Sequence, residues 1–540
     1  MNHEMRPRVG VDFGTSTTLV ADTDGIVPIG TSNAWMPSLV GQQDDGSVVV
    51  GEPAADLPAD QVVPSIKRVI TDRRDYVRID TTTGIRDIRA DDLIVELLHE
   101  AGRRSMASGR DISGRDALRL GCPAMWDGRQ RRRLLELAQR AGLPIKLANL
   151  IDEPVAAGIA WLARQRTEGR TSVDAAAPLR VLVFDMGGGT LDIAVLDVRG
   201  VNHHDVSVLA ALGVAEAGDA LDEAIAEDLD YALGGVGIDV DSLSHSSRAR
   251  RRLARAAPAA KIGLTTEDQI DVKLSQQLFG MSSIVYTRSQ LEAVFAPQMD
   301  RAELYVAAAL RVARLAELVS GSAYEIARAP VETLVEGVNV VVLSGGMSQI
   351  PYVAQRMRTL FPAARVELGA APSENAVALG LAKAGDYGRI NMYRPAFDIL
   401  VEWDQGREFR TVYDAFTPLV ESWQIAQGGS DLRFTRNGLD LTLPRAAKGK
   451  LRVVSHSGDR VRASMGGNSL DGFPVALSEQ KFEFSIYPNG RIQLTDASGT
   501  YDGQVEDWYT MQGHDHGDRL PKVPAQPQVP VYYPFDRDRE

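Results

Sequence analysis

The sequence has one cysteine and no long apolar run. Cys122 is the single cysteine among 540 residues, which excludes an intrachain disulfide framework and is typical of a protein in a reducing compartment. No apolar run approaches the length of about 18 residues that a membrane-spanning helix requires. Residues 1–8 lack the apolar core of a secretory signal peptide. We therefore expect a cytoplasmic protein with no membrane partner.

Basic residues are also fewer than acidic ones. The chain has 59 lysines and arginines against 72 aspartates and glutamates, a net charge of -13. Because the phosphate backbone repels negative charge, we expect no nucleic-acid partner. The hydrophobic share of 44% is ordinary for a globular protein, and a chain of this length is expected to form about two to four domains.

Strand-like and helix-like segments alternate from residue 8 to residue 385. Apolar residues recur at three- and four-residue spacing in the predicted helices. These helices cover residues 91–107, 130–141, 154–166, 220–233, 289–318 and 351–360. Short apolar runs, including 181–184, 194–196 and 338–343, predict strands between them. The alternation predicts an α/β architecture with mixed sheets.

Two segments in this region combine an apolar strand, an aspartate and a glycine turn closed by threonine. They are residues 9–16 (VGVDFGTS) and 183–192 (VFDMGGGTLD), and another apolar strand follows each. Glycines at the tip let backbone N–H groups approach a phosphate with no Cβ in the way. The acids Asp12 and Asp185 can hold a metal-bound water beside that phosphate. Two such hairpins predict a duplicated fold that closes on one nucleotide from both sides.

A third glycine signal lies at Gly345 and Gly346, after the predicted strand 338–343 and before a helix. A glycine pair at such a turn lets the backbone lie flat against an adenine or a ribose. The three signals together therefore predict a nucleotide site within residues 8–385.

The chain changes character after residue 385, where short alternating strands replace the helical pattern. These predicted strands cover residues 397–403, 409–413, 432–435, 451–455, 482–487 and 491–495. Hairpin-type turns are predicted at Asn437-Gly438, Ser457-Gly458 and Asn489-Gly490. Residues 395–510 are thus predicted to form an antiparallel β-sandwich. Residues 513–540 are polar and then proline-rich, which predicts a disordered tail or, alternatively, a proline-motif ligand for a partner.

In their order, these motifs resemble the actin, sugar-kinase and heat-shock-70 superfamily, and within it the DnaK-type heat-shock-70 family. The matching segments are residues 10–16, 64–70, 151–160, 184–192, 250–266 and 372–380. The resemblance implies a duplicated actin-like ATPase fold with two lobes around a nucleotide cleft. It also implies ATP or ADP and Mg²⁺ as ligands, and slow ATP hydrolysis.

The resemblance also assigns roles to individual residues. Asp12, Asp185 and Glu153 would hold the water shell of a Mg²⁺ ion that bridges the β- and γ-phosphates. Lys67 would reach the γ-phosphate and the attacking water. The implied catalytic residues are Lys67, Glu153, Asp185 and Thr190. The implied nucleotide-binding residues are Gly14, Thr15, Ser16, Gly187, Gly188, Gly189, Asp192, Lys261, Gly345 and Gly346. Pro123 and Arg131 resemble the residues that report the nucleotide state.

Some positions depart from the family pattern. Pro258, Met347 and Gln349 stand where the family has glutamate, serine and arginine, so adenine recognition is expected to differ. Asn149 stands where the family offers an arginine to J-domain co-chaperones, so coupling to a J-domain or nucleotide-exchange partner is expected to change. The segment 385–394 is polar and short, unlike the apolar family linker. The run 131–133 is predicted to be a solvated face apart from Arg131.

The C-terminal β region resembles the family's peptide-binding domain, most clearly in residues 482–500. We therefore expect an ATP-hydrolysing, chaperone-like protein that binds unfolded or extended polypeptide. No helical lid is predicted after these strands, so weak binding is expected. The alternatives are an actin-like filament protein, a small-molecule kinase and a nucleotide-sensing scaffold without turnover.

Overall fold

The computed structural model describes most of the chain. The described residues are 8–82, 84–110, 112, 118–168, 179–199, 205–318, 323–421, 432–456 and 462–505. The predicted tail at 513–540 and the predicted turn at Ser457-Gly458 lie outside them. None of the helices in these ranges combines the length and the apolarity needed to cross a lipid bilayer.

Residues 8–168 form the first lobe, which is built on a mixed sheet with the strand order β11-β10-β1-β2-β3, and β4 pairs with β2. The strands are β1 (Val9–Phe13), β2 (Thr17–Ala21), β3 (Ile26–Val27), β4 (Met36–Pro37), β5 (Val40–Gln42), β6 (Val48–Val50), β7 (Val62–Val63), β8 (Tyr76–Thr81), β9 (Gly84–Arg89), β10 (Leu118–Cys122) and β11 (Leu150–Asp152). The helices are α1 (Glu52–Ala55), α2 (Arg68–Thr71), α3 (Ala90–Ala107), α4 (Gly128–Arg140) and α5 (Glu153–Thr167). Strands β5–β7 and β8–β9 form two smaller sheets beside it.

Residues 179–391 form the second lobe, on a sheet with the order β18-β17-β12-β13-β14-β19. The strands are β12 (Leu179–Met186), β13 (Leu191–Arg199), β14 (Asp205–Val214), β15 (Gln269–Lys273), β16 (Ser283–Thr287), β17 (Val340–Ser344), β18 (Arg365–Leu368) and β19 (Gly388–Asn391). The helices are α6 (Gly218–Gly235), α7 (Ser246–Thr266), α8 (Gln276–Phe279), α9 (Arg288–Ala316), α10 (Ala323–Ala327), α11 (Val331–Val335), α12 (Pro351–Leu360) and α13 (Ala376–Lys383).

The two lobes repeat one topology. In the first, β1 is antiparallel to β2 and parallel to β10, which is parallel to β11. In the second, β12 is antiparallel to β13 and parallel to β17, which is parallel to β18. Each glycine motif of the sequence therefore closes the same hairpin of its lobe. The duplication predicted from the two hairpins is confirmed.

Helices α5 and α13 pack against each other between the two sheets. A Cβ at Gly380 of α13 would overlap the carbonyl oxygen of Ala156 in α5. A Cβ at Gly10 of β1 would lie 2.5 Å from the carbonyl oxygen of Ala378. These close approaches fix how β1 stands against the second lobe, because a side chain at either glycine would push the helices apart.

Residues 395–505 form a β-rich region, called here the β domain. Its strands are β20 (Phe397–Trp403), β21 (Glu408–Tyr413), β22 (Phe434–Asn437), β23 (Ala447–Ser455), β24 (Ala463–Met465), β25 (Asn468–Ser469), β26 (Pro474–Leu477), β27 (Glu483–Ile486), β28 (Arg491–Thr495) and β29 (Thr500–Val505). They form two antiparallel sheets, β21-β20-β23-β26 and β22-β27-β28-β29-β24-β25. The rings of Tyr413 and Phe434 meet edge to face between the sheets, with centroids 4.9 Å apart. The predicted sandwich-like fold is confirmed, whereas the domain limits 8–385, 395–510 and 513–540 stay predictions.

One predicted hairpin in the β domain is wrong. Asn437-Gly438 does not join neighbouring strands, because β22 pairs with β27 and the chain crosses after Gly438 to β23 in the other sheet. Asn489-Gly490 does close the hairpin β27–β28. An Asn-Gly pair specifies a tight turn, but which strands flank it depends on sheet packing.

The segment that joins the lobes to the β domain contains a strand. Although it is polar, Gly388–Asn391 forms β19, which pairs in parallel with β14 at the edge of the second-lobe sheet. Backbone hydrogen bonds, which do not depend on side-chain polarity, therefore extend this sheet into the connection. Phe416 and Ala415 of the β domain pack into the apolar core of the first lobe.

Candidate functional site

The tips of the two repeated hairpins approach each other across the cleft between the lobes. A Cβ at Gly188 would lie 2.7 Å from Ser16 Oγ, and one at Gly189 would lie 2.8 Å from Thr15 Oγ1. Each tip is closed by a backbone hydrogen bond of 3.0 Å, from Gly14 N to Thr17 O and from Gly187 N to Thr190 O. Side chains larger than glycine would fill this space, so the two tips form a cradle lined by backbone groups.

Lys67 and Glu153 form a buried ion pair beside the hairpins. Lys67 is 3% exposed, and its Nζ lies 2.5 Å from Glu153 Oε1. Glu153 begins α5 directly after β11, so a strand end and a helix start together fix its carboxylate. Burial alone would lower the pKa of Lys67, but Glu153 and Asp12 outweigh burial and raise it, which keeps the lysine charged.

Three aspartates surround this pair. Burial, with Glu153 nearby, raises the pKa of Asp12 from 3.8 to about 7 and that of Asp192 from 3.8 to about 7. Burial, together with Glu153 and Asp192, also raises the pKa of Asp185. Asp185 and Asp192 are register partners in β12 and β13, which explains why their charges interact. Packing this much like charge together is unfavourable without a balancing cation.

The charge of the cleft fits a cation bound together with phosphate. Four carboxylates face one ammonium group, which leaves a net charge of -3 when all are ionised. Among the described residues, no group of three or more His, Cys, Asp or Glu side chains is arranged to bind a metal ion directly. The donors present, which are carboxylate oxygens, suit a hard cation such as Mg²⁺ that keeps several of its waters.

The third glycine signal lies against the second hairpin. Gly345 has φ +80°, and a Cβ there would lie 2.8 Å from Asp185 Oδ1, so glycine satisfies both the backbone conformation and the close approach. A Cβ at Gly346 would meet open space. Lys261 reaches the other side of the hairpin, where its Nζ donates to Asp222 Oδ2 at 2.9 Å and to the carbonyl oxygen of Gly218 at 3.1 Å.

The N-terminus of α6 is bound to both lobes. Asp219 N donates to the carbonyl oxygen of Gly188 at 2.6 Å, which ties α6 to the second hairpin. The Asp219 carboxylate lies 3.3 Å from Arg68 Nη1, and Arg68 belongs to the first lobe. This contact bridges the mouth of the cleft beside Lys67. Because Arg68 is partly exposed, this ion pair is screened by solvent and contributes little to stability.

Three residues on the predicted adenine side depart from the family pattern, and each lies in a different environment. Pro258 is half-buried inside α7, and Met347 is buried in the apolar core. Gln349 is exposed and donates from Nε2 to Glu374 Oε2 at 2.5 Å. None of these three side chains offers the flat cation that an arginine would present to an adenine ring.

Sequence reasoning missed residues that support the cleft. The ring of Trp126 is fully buried, and its centroid lies 5.9 Å from Lys67 Nζ. The Ala124 N–H donates to Asp192 Oδ1 at 2.6 Å, which links the lobes directly. Both residues lie within the segment 123–131, where the sequence pointed to Pro123 and Arg131, so their nearness along the chain was an available signal.

A second network lies next to the cleft and joins it to the β domain. Asp152, the residue before Glu153, forms a buried ion pair with Arg131. Its other oxygen accepts from Asn391 Nδ2 at 3.2 Å. The Arg394 guanidinium donates from Nη1 to the carbonyl oxygens of Trp126 at 2.8 Å and Phe416 at 2.9 Å. No sequence signal pointed to Asp152, Asn391 or Arg394.

The run 131–133 is not a solvated face, in contrast to the prediction. Arg132 donates to Asp414 Oδ1 at 2.5 Å and to Asp398 Oδ1 at 3.0 Å, both in the β domain. Arg133 donates to Asp91 Oδ1 at 2.9 Å. The sequence suggested a solvent-facing run because the aspartates that pair with these arginines lie far away along the chain.

The amino-acid sequence is similar to a protein family model and to several curated chaperone proteins. A family model described as Hsp70 protein matches residues 116–387, half of the chain. The chain is 29% identical over 422 residues to a chaperone protein HscA homolog of Bordetella pertussis, which covers 71% of this chain and 60% of that protein. It is 29% identical over 419 residues to the chaperone protein HscA of Pectobacterium atrosepticum, covering 71% and 58%. It is 25% identical over 396 residues to the chaperone protein dnaK of Thalassiosira pseudonana, covering 66% and 58%.

The matched region contains the core of the site. Glu153, Asp185 and Asp192 all lie within residues 116–387, whereas Asp12 and Lys67 lie before them. The chain spans about 60% of the length of the curated relatives that it matches. With its two-lobed actin-like fold and C-terminal β region, this chain belongs to the Hsp70 family.

Proposed function

We propose that this chain binds ATP with Mg²⁺ in the cleft between its lobes and hydrolyses it slowly. One observation supports this most strongly, namely the buried Lys67–Glu153 pair that faces Asp12, Asp185 and Asp192 beside two glycine tips. The curated relatives are named as chaperone proteins, which favours a chaperone-type ATPase over a filament protein or a small-molecule kinase.

Different residues of the cleft would bind the phosphates, stabilise developing charge and hold the metal ion. Backbone groups at the tips 14–16 and 187–190 would hold the phosphates, with hydroxyl hydrogen bonds from Thr15 and Thr190. Glu153 orients the Lys67 ammonium, which would offset the charge that develops as water attacks the terminal phosphate in line. A Mg²⁺ ion held through water by Asp12, Asp185 and Glu153 would neutralise charge on the phosphate oxygens.

We further propose that the β domain holds unfolded or extended polypeptide. Support comes from its two antiparallel sheets and from its contacts with the first lobe through Arg132 and Arg394. These contacts give a route by which the nucleotide state could affect polypeptide binding.

Two further residues bear on the setting and the partners of the chain. The buried Cys122 is consistent with a cytoplasmic setting. Asn149 stands where the family has an arginine, which favours weak coupling to a J-domain partner.

The proposal predicts that Lys67→Ala and Asp185→Asn lose ATP turnover by about 10²-fold or more, because each removes a group that faces the reacting phosphate. Phosphate release under single-turnover conditions measures the loss. Lys273→Ala is the matched control, since Lys273 is exposed on β15 and is not among the predicted nucleotide-binding or catalytic residues. Equal turnover in the parent chain and both cleft variants would rule out hydrolysis at this site.

Isothermal titration separates binding from turnover in the same proteins. Titration with ATP, ADP and GTP, with and without Mg²⁺, is expected to show Mg²⁺-dependent binding through the phosphates. Similar affinities for ATP and GTP are expected because Gln349 is engaged with Glu374. Tight binding without turnover in the parent chain would favour the nucleotide-sensing alternative instead.

A further inference from the structure

A shallow, open cavity of about 520 Å³ lies on the surface of the β domain. It lies where β23 and β26 meet, beside the turns at 478–482 and 496–499. Three cationic side chains line it, namely Arg445, Lys448 and Lys481, and the rest of the lining is mainly alanine methyl groups. Its volume is in the range of sites that hold organic ligands and is larger than a single inorganic anion requires.

Among the described residues, these three cations have no acidic partner. In the part of the chain that the structure describes, none of them forms an ion pair. Lys450, two residues along β23 from Lys448, differs in this respect, because its Nζ lies 3.9 Å from Glu402 Oε1. Three like charges around one cavity repel each other, and an anionic ligand would relieve that repulsion.

The acids near the cavity are already engaged or do not line it. Asp496 is 5% exposed, and its carboxylate accepts hydrogen bonds from the backbone N–H groups of Ala476, Ser498 and Gly499 at 2.8, 2.7 and 3.1 Å. Glu483 lies 3.8 Å from Arg433 Nη2. Glu479 shares the turn with Lys481 but is not part of the lining. The lining itself therefore carries positive charge without an internal counter-charge.

We propose that this cavity binds an acidic segment of an extended polypeptide. Carboxylates of the segment would contact Arg445, Lys448 and Lys481, while small apolar side chains would contact the alanines. The apolar part of the lining favours a polypeptide over a free inorganic anion, and the loop that carries Arg445 also exposes Leu439, which is 63% accessible. The inference rests on the proposed polypeptide binding and adds the class of polypeptide.

Fluorescence anisotropy with the full chain tests the inference. The probes are three labelled peptides that share one Leu-Ala core and carry flanking Glu, Gln or Lys residues. The Glu peptide is expected to bind about tenfold more tightly than the Lys peptide. Three exposed charge pairs, each with a small contribution to the binding free energy, together account for a difference of this size. Added salt is expected to reduce this difference, because it screens exposed charges.

Matched variants locate the binding. The double variant Lys448→Ala/Lys481→Ala removes two charges from the cavity and is expected to weaken the Glu peptide about fivefold. The control Lys450→Ala/Arg452→Ala removes two charges from β23 outside the lining and is expected to stay within about twofold. Unchanged circular dichroism and Tm would show that both double variants are folded.

Four other results of these experiments would each contradict a stated part of the proposal. If the three peptides bind equally, polypeptide binding stands and the acidic preference is wrong. If none of them binds, both this inference and the proposed polypeptide binding are wrong. If inorganic phosphate displaces the Glu peptide as effectively as unlabelled Glu peptide does, the cavity is a simple anion site. If the Lys448→Ala/Lys481→Ala variant binds like the parent chain, the segment binds elsewhere.

Discussion

Asp152 and Glu153 are consecutive residues that belong to different networks. Glu153 holds Lys67 in the cleft, whereas Asp152 pairs with Arg131 and accepts from Asn391 in the segment that leads to the β domain. Both carboxylates are buried, so neither can exchange its partner for water without a free-energy cost. Because one peptide bond joins them, the two networks meet in the backbone at this point.

The raised pKa values of the cleft predict how stability depends on pH. Asp192 has a pKa of about 7 in the folded chain and 3.8 ordinarily, so the folded chain binds more protons between these values. Its contribution to stability is therefore lost as the pH rises through this window. Without nucleotide, Asp192→Asn is expected to raise Tm by roughly 2–4 °C at about pH 8 and to leave it unchanged at about pH 4.

Differential scanning calorimetry at the two pH values measures this effect. The amide keeps an oxygen that can accept from the Ala124 N–H, so the substitution removes the charge without removing the hydrogen bond. Asp271→Asn is the control, because Asp271 is exposed on β15. A lower Tm for Asp192→Asn at both pH values would show that burial of this charge is not destabilising.

At the scale of elements, two hairpins and two helices determine the site. The hairpins β1–β2 and β12–β13 occupy equivalent places in their sheets, and α5 and α13 pack between those sheets. The distance between the lobes at this point depends on Gly380 and Gly10, where backbone atoms approach closely. The cradle is therefore a product of helix packing as much as of the glycine motifs.

Gly380→Ala tests this packing. The added Cβ would overlap the carbonyl oxygen of Ala156, so we expect the free energy of unfolding to fall by about 1–3 kcal/mol. Gly234→Ala is the control, because Gly234 lies in α6 with nothing within 4 Å of an added Cβ. That change is expected to be neutral or to stabilise the chain by about 0.5–1 kcal/mol. Urea unfolding measures both, and equal stability of the two variants would contradict the close packing.

For the whole molecule, the main feature is how the β domain is joined to the lobes. Strand β19 extends the second-lobe sheet, Arg394 is buried between Trp126 and Phe416, and Arg132 reaches Asp398 and Asp414. Backbone pairing, a buried guanidinium and surface ion pairs act together at this junction. The buried guanidinium is expected to contribute most, because its loss would take the donor from the buried carbonyl oxygen of Phe416, whereas Trp126 would keep its hydrogen bond from Arg131 Nε.

Arg394→Met tests that expectation. Methionine keeps the apolar part of the side chain but removes the donor to the carbonyl oxygen of Phe416, while Trp126 keeps its hydrogen bond from Arg131. We expect this to cost about 1–3 kcal/mol. We expect the β domain to separate more often, so that limited proteolysis cleaves the segment 385–395 faster. Arg407→Met, an exposed position of the same domain, is the control. An unchanged cleavage rate for Arg394→Met would mean that β19 and Arg132 suffice.

Much of the candidate site was predictable because its chemistry requires particular residues in a local pattern. The hairpins at Asp12 and Asp185 combine strand, acid and glycine within ten residues, and the structure brings their tips together. Lys67 and Glu153 carried no such local pattern, and only the resemblance to a family pointed to them. Trp126 and Arg394 were not predicted, because a buried aromatic ring and a lone arginine have no sequence signature.

The sequence by itself determined many of the strands and helices, the two phosphate-type hairpins and the change to β structure after residue 385. It could do so because apolar periodicity and glycine turns act over a few residues. It did not predict β24, β25, β26 or β29. The tertiary structure alone decided that Asp152 accepts from Asn391 while Glu153 pairs with Lys67, and that Arg394 donates to the carbonyl oxygen of Trp126. These contacts join residues far apart in the chain, and they form because buried charges must find partners wherever the fold brings them.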